Sequence, residues 1–206
     1  LRKSWADFSN LTPVIKMEKT RSFFSQGGTW LDKLIAFWRF ERAANAVFSG
    51  IKILDVGCGF TGEFLRRVEK KISGGYGVDM FVDQTFSTGK IKLIEYNLNF
   101  GLPFPDNEFD AVVSLANLEH MERPEKILKE IRRVLKPGGR LILTAPTIYA
   151  KPVLELMAGL YIIDRREIKD HKKYFDKKTL CDYCNEAGFS SCRHTYFEFW
   201  MNNFLI

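Results

Sequence analysis

Asp55, Gly57, Gly59, Gly62 and Asp79 are the residues of this 206-residue chain whose types and spacing could do the most chemistry. The turn Gly57-Cys58-Gly59-Phe60-Thr61-Gly62 has the form G-x-G-x-x-G, in which glycines let the backbone turn tightly and approach a ligand without Cβ clashes. Asp55 stands two residues before the first glycine. Its carboxylate would repel a pyrophosphate docked at the following helix N-terminus and suits a ligand with a cationic head. Asp79, twenty-two residues past Gly57, ends a second short apolar run, where a carboxylate can accept hydrogen bonds from both hydroxyls of a ribose. The bland alternative for Asp79 is a cap on the next turn.

Two histidines are candidate bases, because imidazole titrates near working pH: His120, in Leu118-Glu119-His120, and His171, beside Tyr174 and Phe175. Glu119 and His120 could also share a divalent metal, but no third ligand is apparent. Cys181, Cys184, Cys192 and His194 have zinc-capable types within fourteen residues. The stronger reading puts Cys184 in a core, since Leu180, Cys184 and Ala187 share one helical face. No metal is expected.

The elements that must position these residues alternate between strand and helix. Ile53–Val56 reads as a buried strand opening into a helix over Glu63–Lys71, and Tyr76–Met80 as the second strand. Lys92–Leu98 is the third strand, and Phe109–Leu115, after the extended Pro103–Pro105 loop, the fourth. Pro124 starts the next helix, apolar residues fall at 127, 128, 131, 134 and 135, and Pro137-Gly138-Gly139 ends it before a fifth strand, Arg140–Ala145. Pro152–Ile163 suggests an apolar helix. Thr179–Ala187 suggests another, closed by Gly188, and Ser190–Phe199 and Asn203–Ile206 read as strands. Residues 1–50 look mostly helical, with Trp30, Leu34, Phe37, Trp38, Ala44 and Phe48 forming a stripe that would pack on the sheet domain.

The glycine turn with Asp55 resembles motif I of the class I S-adenosylmethionine-dependent methyltransferases. The order of the pieces through Leu135-Lys136-Pro137-Gly138-Gly139 resembles that family, in its type 11-like small-molecule branch, more specifically than the glycines do. The resemblance covers roughly residues 50–147. It implies a Rossmann-like, doubly wound, mostly parallel seven-stranded α/β sheet with helices on both faces and a helical N-terminal prelude. It implies one domain over 1–206, with a prelude or lid over 1–50, a cofactor-binding core over 51–147 and substrate-shaping elements with the last strands over 148–206. It also implies S-adenosylmethionine as cofactor, held by Asp55, Gly57, Cys58, Gly59, Gly62, Asp79, Met80, Asn97, Leu98, Ser114 and Leu115. Asn97 stands where many relatives carry an Asp for the adenine amino group; its carbonyl oxygen can still accept that bond.

The activity expected is methyl transfer to a small-molecule acceptor, as an O-methylation with His120 or His171 as base, in a pocket lined also by Tyr149 and Tyr174. Arg165, Arg166, Lys172 and Lys173 would favour an acceptor bearing a carboxylate or phosphate, unless they merely solvate a loop. Two rival classes stay open: an NAD(P)-dependent oxidoreductase and a catalytically silent nucleotide-binding module.

Composition narrows the rest. With 46% hydrophobic and 14% aromatic residues the chain can bury an ordinary core, and disorder is not its default. A net charge of +6 allows acidic partners without specifying nucleic acid, which is not expected. No apolar run is long enough to span a membrane, and four cysteines without a disulfide-like framework fit a reducing cytoplasm.

Overall fold

The computed structural model describes residues 29–160 and 173–206. Their elements run α1 (Trp30–Ala46), β1 (Lys52–Val56), α2 (Glu63–Val68), β2 (Gly74–Asp79), β3 (Ile91–Glu95), β4 (Phe109–Leu115) and α3 (Pro124–Val134). These are followed by β5 (Leu135–Pro146), α4 (Ala150–Gly159), α5 (Lys177–Glu186), β6 (His194–Phe197) and β7 (Asn202–Leu205). The strands form one sheet in the order β3-β2-β1-β4-β5-β7-β6. Neighbours from β3 to β5 are parallel, while β7 runs antiparallel to both β5 and β6. The chain is thus α/β, with a Rossmann-like, mostly parallel seven-stranded sheet, as the sequence predicts.

Strand alternation sends side chains to two cores. Leu54, Val56, Val112, Leu141 and Leu143 face Ile127, Leu128 and Ile131 of α3 and Leu180 and Cys184 of α5. Ile53, Val113 and Ile142 face Ala43 of α1 and Phe64, Leu65 and Val68 of α2. Both sides of the sheet are buried, so its strands read as nearly continuous apolar runs. Burying each Leu, Ile or Phe contributes roughly 1.5–3 kcal/mol.

Several elements differ from the sequence reading. In α1 the inward face is built from small residues, Ala36, Ala43 and Ala44, whereas Trp30, Phe37, Trp38 and Phe48 of the expected packing stripe are exposed. Alanines let the helix lie close to the sheet, and arginines from α2 and β5 cover part of the aromatic face: Arg67 sits 4.9 Å from the Phe37 ring centroid and Arg140 4.4 Å from that of Phe48. Helix α2 ends at Val68, where bonds from Lys71 N–H to Val68 O and from Glu69 N–H to Arg66 O tighten the last turn. Helix α3 ends at Val134 and β5 already begins at Leu135. Lys136–Gly139 bulge out of the ladder, which passes from the Phe109–Leu135 pair to the Ala111–Arg140 pair. Gly139 is required there, because a Cβ would lie 2.9 Å from Lys136 O and 3.2 Å from Asp110 O.

At the far edge β6 and β7 are shorter than the expected strands. Helix α5 is capped by Asp176, whose carboxylate accepts from Thr179 N–H. It closes on Gly188 at φ +91°, with Phe189 N–H bonded to Cys184 O. Cys181 and Cys192 form a disulfide across a Cα–Cα distance of 6.1 Å, which corrects the expectation of cysteines without a disulfide framework. Cys192 lies in the stretch between α5 and β6, which folds back to bring it against Cys181 on the helix. The other two members of the zinc-capable set are also engaged: Cys184 is buried in the core and His194 Nε2 pairs with Asn203 Oδ1 at 2.7 Å. Among the described residues no group of three or more metal-ligating side chains occurs, and no helix is long and apolar enough to cross a membrane.

Candidate active site

The carboxyl ends of β1, β2, β4 and β5 meet where the strand order reverses between β1 and β4, the place at which open α/β sheets bind ligands. The glycine turn starts there. Gly57 and Gly59 have φ of +80° and +68°, a region that L side chains rarely adopt. Gly57 N–H and Cys58 N–H both donate to Val78 O, so the turn is tied to β2. The three glycines have different reasons to be glycine. A Cβ at Gly57 would fall 2.3 Å from Asn117 Cγ, and one at Gly62 2.6 Å from Leu93 Cδ2. A Cβ at Gly59 would meet nothing within 4 Å. Gly57 and Gly62 are packing requirements, while Gly59 leaves the open face along which a ligand can approach the backbone.

Asp79 closes the other side of that opening. Its Oδ2 accepts from Gly59 N–H at 2.8 Å and its Oδ1 from Met80 N–H at 2.7 Å. The capping role weighed from the sequence is therefore present, with Phe81 N–H as a third backbone donor, and the carboxylate keeps acceptor capacity for a ribose hydroxyl. Burial raises the Asp79 carboxyl, while backbone donors and the nearby His120 pull it back down. Asp55 is buried deeper, 2% exposed, and its carboxyl is pushed up to about 8 by burial and then by Asp79. Two neighbouring carboxyl groups in a dry pocket cannot both ionise cheaply unless a cation joins them. An ammonium or sulfonium is such a cation.

The remaining expected cofactor residues are distributed unevenly. Met80 is exposed at the end of β2, and Asn97 follows β3, with its Oδ1 accepting from Asn99 N–H. Leu98 is buried in the core on the α3 side, and Ser114 and Leu115 are buried at the end of β4. Cys58 turns its side chain inward: a Cβ at Gly77 would meet its Sγ at 2.8 Å, and the thiol donates to Gly59 O. Burial, then Asp55 and Asp79 nearby, hold that thiol well above its ordinary value, so it stays a neutral thiol rather than a thiolate.

Beyond β4 the backbone strains at Ala116, φ +49°, held by bonds from its N–H to Thr144 O and Oγ1. This turn delivers Asn117, whose Nδ2 donates to Val56 O and whose side chain fills the space beside Gly57. Asn117 is a positioning residue that sequence reasoning missed; the signal was an amide directly after the strand-four apolar run. A 3₁₀ turn over Leu118–His120 then buries Glu119 and leaves His120 half-buried and electrostatically coupled to Asp79.

The expected acceptor-pocket residues are tied to β5. Thr147 bridges Phe175, Phe175 N–H donates to Pro146 O, and Asn203 Nδ2 donates to both Ala145 O and Phe175 O. Tyr174 is thereby set beside the end of β5. Its hydroxyl is raised by burial and by Glu155 and Glu119, so the phenol stays a neutral donor. Tyr149 lies exposed at the start of α4. His120, Tyr149 and Tyr174 share this carboxyl edge, whereas His171, Arg165, Arg166 and Lys172 lie outside the described residues. The part of the prelude before Thr29 lies outside them as well. Helix α1 itself runs against the strands, with Phe48 beside Arg140 near the start of β5 and Arg39 electrostatically linked to Glu198 at its carboxyl end.

Residues 54–143 match the family model described as a methyltransferase domain. The chain is 31% identical over 172 residues to the ubiquinone/menaquinone biosynthesis C-methyltransferase UbiE of Pasteurella multocida, covering 72% of this chain and 63% of that protein. It is 34% identical over 123 residues to the sterol 24-C-methyltransferase ERG6B of Gibberella zeae, covering 54% of this chain and 32% of that one. The chain thus spans less than two thirds of the length of either relative. The fold is similar to a chain in the complex between the Haloferax volcanii Trm112 methyltransferase activator and a methyltransferase, with TM-score 0.66 and 19% identity over 85% of this chain and 91% of that one. A matched domain, a shared strand order and an acidic, glycine-lined opening suited to a cationic adenosine ligand agree with one another. Residues 54–143 are thus a methyltransferase domain by that match, and the chain is similar to the class I S-adenosylmethionine-dependent methyltransferases in sequence and fold.

Proposed function

We propose that this chain transfers the methyl group of S-adenosylmethionine to a small-molecule acceptor bearing an acidic hydroxyl, with His120 as the base. The observation that carries this reading is the electrostatic pairing of Asp79 and His120 at the carboxyl edge, with Tyr174 near the adjoining Glu119 as a neutral donor. Bound S-adenosylmethionine supplies an electrophilic methyl on a sulfonium, an excellent leaving group. Asp79 would hold the ribose hydroxyls, Asp55 would answer the cationic end, and Gly59 would let the ligand lie against the backbone. Met80, Asn97 and Leu98 would flank the adenine, with Ser114 and Leu115 forming the floor. Little covalent chemistry then falls to the protein, which must align the acceptor and exclude water.

His120 takes the hydroxyl proton, and Tyr174 donates to the resulting oxygen. The same deprotonation serves two outcomes: methylation of the oxygen itself, or of the carbon made nucleophilic beside it. The relatives named above are C-methyltransferases, which favours carbon over the O-methylation expected from the histidines. An apolar acceptor also suits the exposed Ile148, Tyr149 and Val153 at the site's rim better than an anionic one does. Of the basic cluster first associated with an anion, Lys173 is the described member, and its ammonium lies 6.0 Å from the Tyr183 ring centroid. Residues 1–206 act as one domain in this reading, with 1–50 as prelude and lid, 51–147 holding the cofactor and 148–206 shaping the acceptor pocket.

The test is methyl transfer from methyl-labelled S-adenosylmethionine to a panel of quinols and phenols, with the product's site of methylation read by mass spectrometry. His120→Ala should lower kcat by about 10²–10⁴-fold and abolish the acidic limb of the pH profile, with cofactor affinity unchanged. An unaltered profile in that variant would remove His120 from the chemistry.

A further inference from the structure

Helix α4 is apolar on two sides. Ala150 is buried and Leu154 and Met157 are half-buried on the inner side, yet Tyr149, Val153, Leu156 and Leu160, spaced four, three and four apart, form a second stripe that faces outward. Leu156 is 63% exposed. Beside the start of this helix lies the tip of the β6–β7 hairpin. Glu198, Phe199 and Trp200 are three successive non-glycine residues in the left-handed region, with φ of 51°, 53° and 70°. The tip is tied to the base of α4: Thr147 Oγ1 donates to Trp200 O, and Thr147 N–H donates to Met201 O, each at 2.8 Å. This strained turn presents Phe199 at 90% and Trp200 at 67% exposure, the indole stacked on Tyr196. A conformation that costs backbone energy in order to hold two large aromatic side chains in water calls for something that covers them.

Charge and composition choose the occupant. Lys151 is exposed in the first turn of α4, Lys177 is exposed at the start of α5 two residues past the Phe175 that bridges Thr147, and the chain as a whole is +6. A second copy would set like charge against like, whereas an anionic bilayer is complementary. Aromatic side chains around an aliphatic stripe, with Lys151 at the margin, are the composition of a surface that lies in the headgroup region. We propose that α4 and the β6–β7 tip form a docking surface for an anionic lipid bilayer, placing the mouth of the site at the membrane face so that an apolar acceptor enters from the lipid. The entry of the acceptor rests on the methyl-transfer reading above; the docking does not. The bridge between Thr147 and Phe175 ties the residue after Tyr174 to the base of α4, so surface and candidate site share one anchor.

The test is co-sedimentation of the full chain with vesicles of phosphatidylcholine containing about 30% phosphatidylglycerol, against phosphatidylcholine alone. The chain should partition onto the anionic vesicles and be released by about 0.5 M sodium chloride. Leu156→Glu, and separately the pair Phe199→Ser with Trp200→Ser, should each lower the partition coefficient at least about tenfold. Thermal stabilisation by S-adenosylmethionine should be the same in wild type and variants, showing that they fold. Equal partition of wild type and variants, no binding to either vesicle, or a solution dimer that Leu156→Glu dissociates would each overturn the proposal. Vesicle binding that the variants lose, alongside no response to S-adenosylmethionine, would leave the docking standing and remove the methyl-transfer reading.

Discussion

Asp55 sets the electrostatics of the cofactor opening. Its carboxyl titrates near 8 in the folded protein against 3.8 in a model peptide, chiefly because it is buried and secondarily because Asp79 is near. A folded-state value above the unfolded one means that the native state holds the extra proton between about pH 4 and pH 8. Stability of the cofactor-free chain must therefore fall as pH rises through that window. Asp55→Asn removes the titration. The variant should melt at least about 2–4 °C above wild type at pH 8 and close to it at pH 4, while binding S-adenosylmethionine more weakly. Scanning calorimetry at the two pH values checks it, and a constant difference between variant and wild type would contradict it. Asp55 was legible in the sequence from its place before the first glycine. Asn117 was not, because its contact with Gly57 spans 60 residues and depends on the strained turn at Ala116.

The strand–turn–helix element shows how one motif serves two purposes. Gly62 packs against Leu93, whereas Gly59 borders open space. Gly62→Ala should lower the melting temperature by about 4–10 °C, since overpacking and positive φ add up. Gly59→Ala carries only the φ penalty and should cost about 1 kcal/mol of stability, but it should weaken cofactor binding at least about tenfold. Melting curves with and without S-adenosylhomocysteine separate the two, and a reversed pattern would mean that Gly62 faces the ligand. Elements with a single buried face were readable: α3 buries Ile127, Leu128, Ile131 and Val134 at helical spacing, as its pattern predicts. Helix α1 was not, because alanines carry its buried face and aromatic residues its outer one, so hydrophobicity pointed the wrong way. The bulge at Lys136–Gly139 was hidden for a related reason. Pro137-Gly138-Gly139 reads equally well as the end of a helix and as a kink within a strand.

Over the whole molecule, the parallel half of the sheet follows from alternating apolar runs and helices, since buried parallel strands leave that pattern in any sequence. The antiparallel end was harder to read. Strands β6 and β7 have four residues each, and the left-handed tip between them contains no glycine to announce it. The pairing of Cys181 with Cys192 likewise depends on how α5 docks rather than on spacing. What the two halves build is one acidic, glycine-lined opening, and the account stands or falls on what enters it. The most direct measurement is isothermal titration of the purified chain with S-adenosylhomocysteine and, in parallel, with NADH. The account predicts saturable binding of S-adenosylhomocysteine at one site per chain, with release of a proton near pH 7 as Asp55 ionises, and no heat with NADH. Binding of NADH equal to or tighter than that of S-adenosylhomocysteine would contradict it.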